Sequence, residues 1–170
     1  FTDSFWFSAV EGEVYASSSF FTAIVFWAIF KWENAADEPH NLRWLILIAY
    51  LMGLSIGVHL LNLLTIPALA FVIYFRKFKV STKGIIYTSV LGVLVLGFIQ
   101  YGIIQGAITL AGTFDRIFVN GFGLPYGSGI IFYGLLIVVA TIWGLIYTKK
   151  KNHPIWNTAI LCFVFIMIGY

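Results

Sequence analysis

The chain alternates long apolar stretches with short polar clusters. Apolar windows of ~20 residues recur along its whole length, and ~20 residues is what a helix needs to cross a hydrocarbon core of ~30 Å. Five charge clusters punctuate them. Asp3, Glu11 and Glu13 give −3; Lys31, Glu33, Asp37, Glu38 and Arg43 give −1, around Pro39 and His40. Arg76, Lys77, Lys79 and Lys83 give +4; Asp115 and Arg116 cancel; Lys149, Lys150 and Lys151 give +3, beside His153 and Pro154. The pattern predicts an all-α, polytopic integral membrane protein. It has about six transmembrane helices, including a short helical hairpin, in a single transmembrane domain over residues 1–170.

The spans follow from spacing. Residues 1–14 read as an external segment with a short interfacial helix capped by Thr2-Asp3-Ser4. Span one covers about 15–32, spans two and three about 43–57 and 59–76, and span four about 84–110. An external loop holds Thr113 to Gly127, span five covers about 129–148, and span six starts near Ile155. The hairpin rests on length. Trp44 to Phe75 is a run of 32 residues without formal charge, ~48 Å as one helix, and a single crossing would need a tilt beyond ~40°. Two short arms turning near Gly53–His59 avoid this. Basic short loops stay cytoplasmic, so 76–83 and 149–154 are read as inside, with 1–14, the hairpin turn and 111–127 outside. Trp32, Trp44, Tyr147 and Trp156 are expected at the interfaces.

Composition closes off other classes. Hydrophobic residues make up 61% of the chain, charged residues 10%, and the mean hydropathy is +0.94; a soluble domain carries ~25% charged residues. The net charge of +3 reflects anchors at membrane ends, not nucleic-acid binding. The single Cys162 cannot form an intrachain disulfide and reads as a small buried hydrophobe. The chain opens at Phe1 and stops at Tyr170 inside an apolar run, which reads as an internal piece of a longer protein. No phosphate loop, nucleophile elbow or metal-spaced His/Cys set is present.

Candidate chemistry gathers on the inferred outer face. Glu11 and Glu13 flank Gly12, with Tyr15 close behind; such carboxylates can bind a cation, position a hydroxyl or act as a base, or simply be solvated. His59 and Asn62, at i and i+3, share a helix face and can contact a phosphate or hydroxyl, or hydrogen-bond a neighbouring helix. Gln100 and Gln105 suit interhelical hydrogen bonds, and Gly53/Gly57 and Gly102/Gly106 match small-xxx-small spacing. The glycine-rich stretch Phe118–Gly129, which contains Asn120, suits either a loop over a substrate groove or a plain turn. The expected site brings Glu11 and Glu13 within ~12 Å of His59, close enough for a water-bridged site, beside Asn62.

Three strings carry a family resemblance: Thr2–Ala16 (TDSFWFSAVEGEVYA), Arg43–Asn62 (RWLILIAYLMGLSIGVHLLN) and Phe118–Pro125 (FVNGFGLP). They resemble a bacterial membrane family labelled domain of unknown function 2723, which is similar to protein O-mannosyltransferases of the GT-C class. The resemblance implies a GT-C-like fold in the bacterial inner membrane, with acidic loops periplasmic and Lys/Arg loops cytoplasmic. It implies transfer of a sugar from a polyprenyl-phosphate carrier to an acceptor hydroxyl, as in protein O-mannosylation, on the external face. The catalytic residue is expected in a first external loop upstream of this chain. Glu11, Glu13, Tyr15, His59, Asn62 and Asn120 are the candidate substrate or carrier-phosphate contacts. Expected partners are membrane lipid, the lipid-linked donor and a protein or glycan acceptor; no resident cofactor is required. A transporter or flippase for a lipid-linked substrate, or a non-catalytic scaffold, would share the composition.

Overall fold

The computed structural model describes the backbone of residues 3–170 and the side chains of residues 16–170. It is helical throughout: α1 (Asp3–Asn34), α2 (Leu42–Val58), a 3-10 turn (Leu60–Leu64), α3 (Thr65–Lys77), α4 (Thr82–Gly97), a π-helical segment (Phe98–Gln105), α5 (Gly106–Phe122), α6 (Ser128–Lys150) and α7 (Pro154–Gly169). Among the described residues, three runs are long and apolar enough to cross a membrane: Leu60–Lys77, Thr82–Phe122 and Ser128–Lys150. α2 and α7 are apolar but shorter. The chain forms two compact units, one of Phe1–Leu96 with Cys162–Tyr170, the other of Gly97–Leu161.

In the first unit α1 packs along α2 and α3. Its buried positions, Ser18, Val25, Ala28, Ile29 and Trp32, fall at three-, four- and seven-residue intervals, the seam of a packed helix; Ala36, in the turn that follows, is buried too. The seam meets Ile48, Ala49, Met52 and Ile56 of α2. Trp32, expected at an interface, belongs to this seam and is only 3% exposed. The α1–α2 turn uses His40 in the left-handed region (φ 71°), and Asn41 Nδ2 donates to the Ala36 carbonyl at 2.6 Å.

The predicted hairpin is present. α2 stops at His59, whose backbone is extended (φ −160°, ψ 126°), and α3 returns until Arg76 and Lys77 reach Asp37. Pro67 explains where the break falls. It has no N–H to give to the carbonyl of Leu63, and its ring would clash there in a continuous helix. In the first turn of α3 that N–H is not needed. α7 closes on α2 at two glycines. A Cβ on Gly53 would lie 2.7 Å from the Ile166 carbonyl oxygen, and one on Gly169 2.7 Å from Leu54 N. Gly57 has nothing within 4 Å, and the nearest neighbours of Gly102 and Gly106 are Phe98 and Tyr101 of their own helical run. Of the two small-xxx-small matches, only Gly53 marks a helix crossing.

Two predicted boundaries are corrected. Residues from Asp3 onward are not a helix separate from span one; α1 runs unbroken to Asn34, since no proline interrupts it. The expected loop Thr113–Gly127 is mostly helix. In the second unit α5 continues to Phe122, because no proline interrupts the run before Gly123; Thr113 returns its hydroxyl to the Thr109 carbonyl at 2.8 Å. Gly123 (φ 66°) ends it: its N–H bonds Val119 O at 3.1 Å, the αL cap, and Leu124 N–H bonds Phe118 O at 3.2 Å. Asp115 then reaches forward. Its Oδ1 accepts from Gly127 N at 2.9 Å and Gly129 N at 3.1 Å, satisfying N–H groups that the start of α6 leaves open. Gly129 itself sits on α5, where a Cβ would lie 2.4 Å from Asp115 N and Cα.

Candidate functional site

The turn of the hairpin holds a buried polar cluster. His59 starts it: its N–H donates to Ser55 O at 2.8 Å, and its Nδ1 accepts the Leu61 N–H at 3.1 Å. The side chain thus caps the 3-10 turn. An Nδ1 used as acceptor leaves the proton of the neutral ring on Nε2, a hydrogen-bond donor. Asn62 follows one 3-10 turn later, so the expected alignment of the two residues survives in a helix of three residues per turn. Thr65 Oγ1 donates to the Asn62 carbonyl at 2.7 Å, fixing the junction with α3.

The Asn62 side chain points at α1 and is 3% exposed. Its Oδ1 accepts from the hydroxyls of Ser18, at 3.4 Å, and Thr22. Thr22 Oγ1 is also 2.9 Å from the Ser18 carbonyl, yet a hydroxyl has one proton. Turning the amide so that Nδ2 donates to both hydroxyls frees Thr22 to serve the carbonyl. In either orientation one amide atom has no partner among the described residues; as drawn it is Nδ2. A cavity of about 260 Å³ lies beside this cluster, lined by Thr22, Phe26, Leu61, Asn62, Leu64 and Thr65. Leaving a buried amide atom unmet costs ~1–3 kcal/mol, which marks Asn62 as the polar group of this turn that packing alone does not satisfy.

The structure joins some of the expected residues. His59 and Asn62 share one turn. The side chains of Glu11, Glu13 and Tyr15 lie outside the described residues, and so does their expected approach to His59. Their backbone belongs to α1, the helix that supplies Ser18 and Thr22. Asn120 is exposed on α5 in the second unit and makes no side-chain hydrogen bond among the described residues. Among those residues no three His, Cys, Asp or Glu side chains converge as metal ligands would. Sequence reasoning missed Ser18, Thr22 and Thr65. Ser18 and Thr22 are an i, i+4 pair of hydroxyls on the apolar stripe of α1, which was the available signal. Cys162, read as a buried hydrophobe, is half-buried, with Sγ 3.7 Å from the Leu45 carbonyl oxygen.

At the opposite end of α3, Asp37 takes both Arg76 and Lys77, the latter at 3.1 Å. The hydrogen bond from Lys77, then the Arg76 and Lys77 charges, hold its carboxyl below the ordinary value of 3.8 against partial desolvation. The second and third charge clusters therefore meet at one end of the unit, and the polar cluster occupies the other.

A family model described as the N-terminal domain of the protein O-mannosyl-transferase TMEM260 matches residues 1–82. No curated protein and no solved structure matches the chain. Over the segment that carries Ser18, Thr22, His59 and Asn62, the chain is similar to an O-mannosyltransferase domain of membrane type.

Proposed function

We propose that the chain is part of a membrane glycosyltransferase. It would move a sugar from a polyprenyl-phosphate carrier to an acceptor hydroxyl, with protein O-mannosylation the reading favoured by the match over residues 1–82. In the transfer the acceptor oxygen bonds the anomeric carbon as the bond from that carbon to the carrier phosphate oxygen breaks. The hydroxyl proton goes to a base, and the phosphate leaves with the electron pair. The base is assigned to an acid outside this chain. The residues here bind. The unmet amide atom of Asn62 pairs with a sugar hydroxyl, which can donate or accept, and His59, Glu11, Glu13 and Tyr15 are the further candidate contacts. Asn120, on α5, is a further candidate contact.

The observation that carries the reading is the match, together with an unmet buried amide inside the matched segment. The proposed orientation puts residues 1–14 and the hairpin turn outside the bacterial inner membrane and the basic ends of α3 and α6 inside, following the charge rule. A transporter would need a polar path at mid-membrane; the buried polar side chains of the hairpin gather instead at its turn. The test is sugar transfer by the full-length protein from a polyprenyl-phosphate-linked donor to a peptide acceptor. Asn62→Leu and His59→Ala, each folded, are expected to lower kcat/KM by at least tenfold. Unchanged transfer in both would remove these residues from the site.

A further inference from the structure

We propose that the basic corner between α3 and α4 binds one bilayer phospholipid with an anionic headgroup, its acyl chain lying in the groove between the two helices. This site is separate from the hairpin turn and does not depend on the reading above. The groove has a volume of about 280 Å³ and is lined by Ile66, Leu69, Ile73, Leu91 and Val95, with Tyr74 and Phe78 at one end. From Ile66 to Phe78 it follows α3 for ~18 Å at ~1.5 Å per residue, close to one leaflet of a ~30 Å hydrocarbon core. Two glycines hold α4 against α3: a Cβ on Gly92 would lie 3.1 Å from Pro67 Cα, and one on Gly84 2.1 Å from Tyr74 Oη.

The charged end of the groove is built, not loose. Tyr74 is 8% exposed. Its Oη accepts the Ser81 N–H at 2.8 Å, and its hydroxyl proton faces the carbonyls of Lys79 and Ser81 at 3.2 and 3.3 Å. The turn carrying Lys79 is therefore tied to the residue that closes the groove. Arg76 and Lys77 are engaged by Asp37. Lys79 and Lys83 are exposed and have no acidic partner among the described residues. The third charge cluster (+4) meets the second (−1) here, which leaves this end at +3. Phe75, Phe78 and Val80 stand exposed around it, the surroundings in which lysine stems lie along apolar surface and present their ammonium groups at headgroup level. A soluble anion would use the charges and leave the groove empty; a neutral lipid would do the reverse. An anionic phospholipid uses both.

The chain purified in neutral detergent and titrated with phosphatidylglycerol or phosphatidylcholine, with adducts read by native mass spectrometry, tests this. One phosphatidylglycerol is expected to be retained at least tenfold more tightly than phosphatidylcholine. Lys79→Gln with Lys83→Gln should weaken it on the order of ten- to thirty-fold, the worth of two cations at an anionic surface. Val95→Trp, which fills the groove from its exposed side, should weaken both lipids while helicity by circular dichroism is kept. Replacing Lys149, Lys150 and Lys151 by Gln should leave binding unchanged. Equal retention of the two lipids, a preference that survives Lys79→Gln/Lys83→Gln, or equal loss in the Lys149–Lys151 variant would each overturn the proposal. So would tighter retention of a polyprenyl phosphate at this corner, which would make it a carrier site.

Discussion

Asn62 is the residue whose arrangement is hardest to explain by stability alone. It spends a buried amide on two hydroxyls, one of which, Thr22, is also served by the Ser18 carbonyl, and it leaves one polar atom unmet. Removing a half-satisfied buried polar group costs little, because its desolvation penalty disappears with it. Asn62→Leu is therefore expected to change stability by less than ~1 kcal/mol while transfer falls, measured by unfolding in detergent beside the activity assay. A large loss of stability would make Asn62 a structural residue. Gly129 is the opposite case. Its missing Cβ would stand 2.4 Å from the backbone of α5, which cannot step aside as a side chain could. Gly129→Ala should cost ~3 kcal/mol or more, at or above the usual range for overpacking, whereas Gly57→Ala, with nothing within 4 Å, should be neutral.

At the scale of elements, helix ends are decided by a few backbone-controlling residues. Pro67 permits α3 to begin only after a break, and His59 fills that break by capping the 3-10 turn. Gly123 stops α5 in a left-handed conformation. Gly123→Ala should destabilise by about 1 kcal/mol without altering the length of α6, since Asp115 fixes the start of that helix independently. Thermal unfolding of Gly123→Ala, Asp115→Ala and the double variant would show whether the two closures add. The turn after α3 depends on Tyr74 in the same way. Tyr74→Phe should cost ~1 kcal/mol from the lost hydroxyl contacts.

At the scale of the molecule, charge sorts the ends of the helices. Asp37 draws Arg76 and Lys77 to the α1–α2 turn, so clusters far apart in sequence lie together. The lowered carboxyl value fixes the sign of the pH effect. The contribution of this pairing is complete above the ordinary value of 3.8 and is lost as pH falls through the lowered one. The difference in stability between the wild type and Asp37→Asn should be constant at neutral pH and vanish only below that value. It should also shrink with salt, because the carboxylate is exposed. Orientation has its own test. A Cys at Tyr126, 89% exposed, should react with an impermeant reagent from the outside, and one at Lys151 should not. The reverse labelling would invert the proposed topology. Ser55 is unsuitable for such labelling, being 1% exposed with its hydroxyl on the Met52 carbonyl.

The sequence by itself determined the helical membrane class, the alternation of charged ends and the existence of the α2–α3 hairpin. Those follow from hydropathy, from the length of an apolar run and from the placement of charge, all of which are local or additive. It also marked His59 and Asn62, because polar groups in an apolar run are conspicuous. Tertiary structure decided the rest. The end of α5 at Phe122 is set by the left-handed backbone of Gly123, although Gly112 and Gly121 earlier in the same helix continue it. The burial of Trp32 depends on the α1–α2 seam, which hydropathy alone does not specify. Ser18 and Thr22 acquire meaning only when α3 folds back and brings Asn62 to them across 44 and 40 residues of chain. A polar side chain's partners are a property of packing, which no spacing along the chain specifies.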